Sequence, residues 1–273
     1  MKTEPRVMVK LPASQDIMNY YDETMRNIKG EYIFYRWGNT EVKERHYRQT
    51  ELALKNALEL IKPCGHVLEI GCGPAVWTHL FAGSAERLVL LDISEEMLKK
   101  ARERVSSWSN GIYVDKTEYR CGDFLSLELD EAEFDFIVSV RAFEYMSDKR
   151  KAIRKCYSAL KEKGRLLIVT KNRGWLDHIL AMKADNNGPK ENIPIEMAIQ
   201  MGLVDWKGLM IMFREAGFRN VCTFPAVLGS YHRPLIWNPG LLLCDILHKY
   251  LSKRTISRMY NPLIESYLTI GEK

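Results

Sequence analysis

Short apolar runs alternate with amphipathic helical patterns from about residue 63 onward. HVLEI (66–70), RLVLLDI (87–93), FDFIVSV (134–140) and RLLIVTK (165–171) have the length and apolar density of strands, and EYRCGDF (118–124) carries a further short one. Between them, VWTHLFAG is predicted as a helix beginning near Val76. SEEMLKKARERV is a second helix capped by Ser94. Ser147 is expected to open a third, with Ile153, Cys156, Tyr157 and Leu160 on one face and Gly164 at its end. Strand–helix alternation of this kind calls for a parallel sheet with crossover helices.

The flanks differ. In EVKERHYRQTELALKNALELI the apolar residues Leu52, Leu54, Ala57, Leu58 and Ile61 recur at helical spacing, and Pro63 stops the helix. Beyond 171 the spacing loosens. Two short helical pieces around KADNNGPKENIP fill 172–204, and a helix from Asp205 to Ala216 is closed by Gly217. RNVCTFPAV and SYLTIGE read as the last strands, with a proline-rich, apolar interlude at 226–262 between them. Within it, Leu242, Leu243, Ile246, Leu247, Tyr250 and Leu251 share one helical side, with His248, Lys249, Lys253, Arg254 and Arg258 elsewhere. That segment is expected to lay its apolar side inward and roof a substrate pocket. Peripheral contact of 240–258 with an anionic membrane is the alternative.

Composition narrows the class. The 273 residues suffice for one large α/β domain, and a net charge of +5 is mild enough to serve solubility alone. Six scattered cysteines form no zinc-like spacing, so no metal is expected, and they read as buried free thiols of a reducing compartment. MKTEPRVMVK lacks the apolar core of a signal peptide, and no run reaches the ~18 apolar residues of a membrane span. These features point to the cytoplasm.

The chemistry concentrates at three strand ends. Glu69-Ile70-Gly71-Cys72-Gly73 leaves the first strand through a turn that must come close to a ligand, where a Cβ is not tolerated. A helix starting near Val76 would aim its N-terminus at an anionic group. Asp92 ends the second strand, where an acid accepts both hydroxyls of a ribose. Glycine turn and acid together fit either a dinucleotide or S-adenosylmethionine. Val76 and Trp77 stand where a dinucleotide site wants a small residue, whereas Gly71, Gly73 and Ala75 supply the small-residue turn that suffices without a pyrophosphate. Asp123-Phe124, ending the third strand, suits the adenine amino group and ring, which favours adenosylmethionine.

VLEIGCGPA, LLDISEEML, CGDF, FDFIVSVRAFEYM and LKEKGRLLIVT resemble, in that order, the successive motifs of class I SAM-dependent methyltransferases, small-molecule enzymes that include the quinone-modifying ones. The resemblance covers about 60–172. It implies an α/β Rossmann-like parallel sheet with an antiparallel last strand. A helical N-terminal cap (1–62) would precede a SAM-binding core (63–171) and a remainder (172–273) carrying substrate-side insertions. It places Gly71, Cys72 and Gly73 at the methionine end, supported by Glu69 and Ala75. Asp92 falls on the ribose, Ile93 and Met97 beside the adenine, and Asp123 and Phe124 reading it. Val140 and Arg141 fall near the amino-acid end.

Catalytic duty is less defined. Tyr145 stands where this group often has histidine, so the base candidates are Tyr145, Glu144, Tyr20, Tyr21 and His46. His46 is expected on a solvated helix face. The Tyr, Trp, Met and Leu content of the flanking segments favours an aromatic or lipid-like small-molecule acceptor. An RNA or protein methyltransferase, or a non-catalytic SAM-binding partner subunit, is the alternative. SVRAFEYM lacks the Pro-Pro-aromatic signature of amino-methylating nucleic-acid enzymes, which makes nucleic acid the weaker choice.

Overall fold

A computed structural model describes residues 12–28, 30–173, 203–229, 238–255 and 263–273. Seven strands, β1 (Gly65–Ile70), β2 (Ala85–Asp92), β3 (Thr117–Cys121), β4 (Phe134–Val140), β5 (Leu160–Lys171), β6 (Arg219–Leu228) and β7 (Ile264–Glu272), form one sheet. Their order is β3-β2-β1-β4-β5-β7-β6. β1 to β5 pair in parallel, and β7 runs antiparallel to both β5 and β6. This is the class I methyltransferase architecture that the motifs imply.

The strands are apolar on both faces because each face is covered. Val67, Leu88, Leu90, Phe136, Val138, Leu167 and Val169 point to one side, against Leu54 and Leu58 of helix α2 (Glu41–Ile61) and Leu98, Ala101 and Val105 of α3 (Glu95–Ser107). Their alternates Leu68, Ile70, Val89, Leu91, Ile137, Leu166 and Ile168 meet Ile153 and Cys156 of α4 (Lys149–Ala159) and Leu209 and Phe213 of α5 (Trp206–Ala216). A period of two in the strands feeds two cores.

Capping follows the sequence closely. Ser94 accepts from the Met97 N–H, Asp205 accepts from Gly208, and Gly217 closes α5 at φ 107°. The third helix shifts by a residue: Asp148, not Ser147, caps α4, since its carboxylate accepts from the Lys151 N–H at 2.8 Å. That helix also ends earlier than expected. Leu160 already pairs with Phe134, and Gly164 lies inside β5 without a left-handed φ. The sheet has claimed the residues that the helical pattern was thought to use.

A larger departure concerns VWTHLFAG. Only two 3₁₀ turns, Thr78–Leu80 and Ala82–Ser84, occupy the stretch before β2. Nine residues between a glycine turn and the next strand are too few to repay helix nucleation, and burial of Trp77 and Phe81 fixes the chain instead. The expected helix N-terminus is therefore absent there.

N-terminal to the sheet, α1 (Ser14–Asn27) and a π-helical turn (Phe34–Gly38) precede α2. α2 buries Arg45, His46 and Gln49 along with its apolar stripe. His46 is thus not on a solvated face: it is buried near Glu265, Arg141 and Lys171, while Arg45 and Gln49 make polar contacts with α6 (Asn238–Leu251). α6 is a helix, as the pattern predicts, but Ile246, Leu247 and Tyr250 face outward rather than inward. Of the thiols, Cys72 and Cys156 are buried, whereas Cys64 and Cys121 are exposed, contrary to expectation. All described cysteines are free. The two helical pieces expected in 172–204 lie almost wholly outside the described residues.

Candidate active site

The carboxyl ends of β1 to β4 open into one cavity enclosing about 1020 Å³, part of it open to solvent. β1 is flanked by β2 on one side and β4 on the other, so chain order reverses there and leaves a crevice between the loops. The sheet extends its pairing into those loops. The N–H groups of Gly71 and Cys72 donate to Leu91 O at 2.7 and 3.1 Å, Gly122 N–H to Asp92 O, and Arg141 N–H to Val169 O.

Of the predicted cofactor residues, Gly71, Cys72, Gly73, Asp92, Ile93, Met97, Asp123, Phe124, Val140 and Arg141 all line this cavity. Glu69 and Ala75 do not. Glu69 is buried beneath the turn and accepts the Thr78 hydroxyl; burial pushes its carboxyl up to about 8 against that hydrogen bond. Ala75 is fully buried at φ 56°, as part of the turn itself.

The two glycines do different work. Both have left-handed φ, 69° at Gly71 and 52° at Gly73. A Cβ on Gly71 would stand 2.2 Å from Ala142 Cβ, so Gly71 is required by close approach of the β4 loop. A Cβ on Gly73 would meet nothing within 4 Å, which leaves open space at a residue lining the cavity. Asp92 binds the same turn: Oδ2 accepts from Gly73 N–H at 2.8 Å and Oδ1 from Ser94 N–H at 3.0 Å. Burial raises its carboxyl to about 6, partly countered by those backbone hydrogen bonds. Each carboxylate oxygen still has a lone pair to offer to a diol. Asp123 accepts from Leu125 N–H at 3.0 Å. A Cβ-free cradle, an acid beside it and a second acid with an aromatic ring beyond fit adenosylmethionine.

α1 closes this side. The Ser14 hydroxyl donates to Asp123 Oδ2 at 2.8 Å, and the Ser94 hydroxyl donates to Asp22 of the same helix. Ser14, Ile17 and Tyr21 thereby become cavity wall.

The base candidates separate clearly. Tyr21 and Tyr145 line the cavity with ring centroids 5.5 Å apart, whereas Tyr20, His46 and Glu144 do not line it. Burial raises both phenols, helped by Tyr145 at Tyr21 and by Glu144 at Tyr145, so each is a protonated hydrogen-bond donor at neutral pH. Burial lowers His46 to about 4, leaving it neutral beneath the site. Glu144 is a clasp: its carboxylate accepts from Thr170 Oγ1 at 3.3 Å and Lys171 N–H at 3.1 Å, and meets Arg141 Nε at 3.4 Å. Arg141 also reaches Ser266 Oγ at 3.1 Å and Glu265 at 3.7 Å. Burial favours the neutral form of Glu265, but Arg141 overrides it and holds the carboxyl at about 2.

Sequence reasoning missed Tyr32, Arg36 and Trp37, which complete the wall opposite the glycine turn. The signal was the dense aromatic-basic string YIFYRWG. Its π-helical turn directs Arg36 and Trp37 to the same cavity, with the guanidinium 4.9 Å from the Trp37 ring. Trp37 in turn packs edge-on to Trp77 behind the loop.

Residues 67–164 match the model of a methyltransferase domain family. The chain carries a class I SAM-dependent methyltransferase domain. Similar curated proteins include the ubiquinone biosynthesis O-methyltransferase of Xanthomonas axonopodis pv. citri, 31% identical over 41% of this chain and 46% of the relative. The malonyl-[acyl-carrier protein] O-methyltransferase of Bacillus cytotoxicus is 28% identical over 61% of the chain and 52% of the relative. The chain thus spans about half the length of the curated relatives it matches. Among solved structures, the N-methyltransferase NodS of Bradyrhizobium japonicum superposes with a TM-score of 0.58 at 16% identity, covering 93% of this chain and 98% of that one. Phosphoethanolamine N-methyltransferase 2 of Haemonchus contortus gives 0.59 at 16% identity over 96% of this chain and 60% of the other. These structures share the methyltransferase fold. No helix among the described residues is long and apolar enough to cross a membrane.

Proposed function

We propose that this protein transfers the methyl group of S-adenosylmethionine to a small molecule with an aromatic or lipid-like body. One observation carries the reading: a single cavity joins the Gly73 cradle and Asp92 to a wall of Tyr21, Tyr32, Arg36, Trp37 and Tyr145. The first half suits the methyl donor. The second is aromatic, offers hydroxyl and guanidinium donors, and suits a flat acceptor bearing an oxygen or other polar atom. Relatives named for O-methylation in ubiquinone biosynthesis and of malonyl-[acyl-carrier protein] support an organic acceptor of this scale.

Adenosylmethionine supplies a methyl already activated on a sulfonium centre. The residues of this chain bind and align. In this reading Asp92 holds the ribose, Asp123 and Phe124 take the adenine, and Gly71 and Gly73 let the backbone approach the methionine part. α1 excludes water on one side, and Tyr21, Tyr32 and Tyr145 orient the acceptor by donating hydrogen bonds. The raised phenols and the withdrawn His46 do not accept a proton readily at neutral pH, so the acceptor must bring its own nucleophile. An amine or an already acidic phenol meets that requirement.

The test is methyl transfer from radiolabelled adenosylmethionine to fractionated cell extract. Label in the small-molecule fraction, with matching adenosylhomocysteine, is expected. Label confined to RNA or protein would overturn the acceptor class. Tight adenosylmethionine binding with no transfer to any fraction would favour a partner subunit.

A further inference from the structure

α6 carries its polarity inside out. Asp245, His248 and Ser252 recur at spacings of three and four and share one face. That face is bound to the body of the protein. Asp245 accepts from Gln49 Nε2 at 2.7 Å and pairs with Arg45 at 2.9 Å. His248 Nε2 lies 2.9 Å from Ala226 O, and Ser252 accepts from Asn56 Nδ2 at 3.0 Å. The outward face is apolar: Ile246 is 46% exposed, Leu247 40% and Tyr250 69%. A helix that only has to pack does the reverse. Rotating this one to hide Leu247 would strand a buried histidine and break an ion pair, so the inner bonds fix the apolar side outward.

The charge on that side is of one sign. Lys249, Lys253 and Arg254 are exposed among or just after the apolar residues, and Asp245, whose charge is paired inward with Arg45, is the one acid in 245–255. Apolar side chains beside cations that have no acidic partner among the described residues complement a surface that is anionic outside and hydrocarbon just beneath. Tyr250 has the amphipathic ring that settles at headgroup level. We propose that the outer face of α6 docks this protein reversibly on an anionic membrane surface. Leu247 and Ile246 enter the acyl boundary, and Lys249, Lys253 and Arg254 lie against lipid phosphates. The proposal stands on α6 alone and does not depend on the methyl-transfer reading.

Sedimentation of the full chain with phosphatidylcholine vesicles, with and without phosphatidylglycerol, tests it. Binding is expected only to the mixed vesicles, and it should weaken strongly between about 0.1 M and about 1 M salt as charges are screened. A basic residue at an anionic surface contributes about fivefold in partition, so the double variant Lys249→Glu, Lys253→Glu should lose at least about 25-fold. Tyr250→Ser and Leu247→Ser should weaken binding as well. All these side chains are exposed, so the variants should keep the wild-type melting temperature and adenosylmethionine affinity. Three results would each overturn the proposal. One is protein remaining in the supernatant with anionic vesicles at low salt. Another is lipid binding indifferent to charge reversal. The third is a dimer in solution that Tyr250→Ser dissolves without any lipid binding, which would make a second copy the occupant.

Discussion

Replacing Asp92 by Asn separates what this residue does for the fold from what it does for the ligand. The carboxyl is raised from its ordinary 3.8 to about 6 by burial. Keeping it ionised at pH 7 therefore costs the folded protein about 3 kcal/mol, at 1.36 kcal/mol for each tenfold in proton affinity. The sign follows from proton counting. Between pH 3.8 and about 6 the folded state holds more protons than the unfolded one, so this contribution favours folding at low pH and is lost as pH rises through 6. Asn removes the charge but keeps one carbonyl oxygen for Gly73 or Ser94, leaving one N–H unpartnered at about 1–3 kcal/mol. The two terms nearly cancel, so thermal stability at pH 7 should change little. Ligand affinity should not be spared. Two ribose hydroxyls lose a charged acceptor, worth about 1.5–3 kcal/mol, or roughly ten- to 150-fold in Kd. Calorimetric titration with adenosylhomocysteine, beside a melting curve, measures both. Wild-type affinity should also weaken below pH 6 as Asp92 takes up a proton, and Asp92→Asn should flatten that dependence. An Asn variant that binds within twofold of wild type would remove Asp92 from the ribose site.

The glycine turn yields a paired prediction: Gly71→Ala should lose several kcal/mol of stability in denaturant unfolding through its clash with Ala142, whereas Gly73→Val should lose cofactor binding out of proportion to a stability loss of about 1–3 kcal/mol. Equal losses of folding and binding in both would refute the distinction. Ala75→Gly should be nearly silent in both assays, because relief of a left-handed φ of 56° offsets the loss of a buried methyl worth about 0.8 kcal/mol. Glu265→Gln should destabilise the protein by roughly 3 kcal/mol at pH 7. Glu265 lies at about 2, below its ordinary 4.5, so its contribution is present above 4.5 and lost as pH falls toward 2; a variant retaining the wild-type acid unfolding profile would count against the Arg141–Glu265 pairing.

Most strands were legible because a sheet buried on both faces writes itself as uninterrupted apolar runs; the edge strand β3 is largely polar and only half-buried. The proposed cofactor side was legible because its residues sit at strand ends, where position in the run fixes position in space: Asp92 cannot end β2 without reaching the crevice. The proposed acceptor side was not. Arg36 and Trp37 reach the cavity through a π-helical turn with Tyr32 just ahead of it, and no period in the sequence marks that geometry. The polar side of α6 misled for a related reason. A polar residue on an amphipathic helix reads as solvated unless another polar helix is known to lie against it, and α2 and α6 pair through Gln49, Arg45 and Asn56 across nearly two hundred residues. Hydrophobic periodicity has no means of announcing a polar interface between helices.

What the sequence and structure share is the place where local rules are broken together. Glu69 and Asp92 are carboxyls raised by burial, and Ala75 and Arg141 hold left-handed φ values that glycine would adopt at lower cost. All four stand at or just after the carboxyl ends of β1, β2 and β4. Most of the remaining described core is apolar strands, capped helices and two packed faces, with further buried polar groups where α2 meets α6. Strain and desolvated charge persist at one place only when neighbouring bonds over-determine them. Those bonds are visible: Thr78 on Glu69, Gly73 and Ser94 on Asp92, Glu144 and Ser266 on Arg141. A fold selected for stability alone would place apolar residues at such positions. Their convergence beside the cavity at the ends of β1, β2 and β4 is what supports the proposal that methyl transfer takes place there.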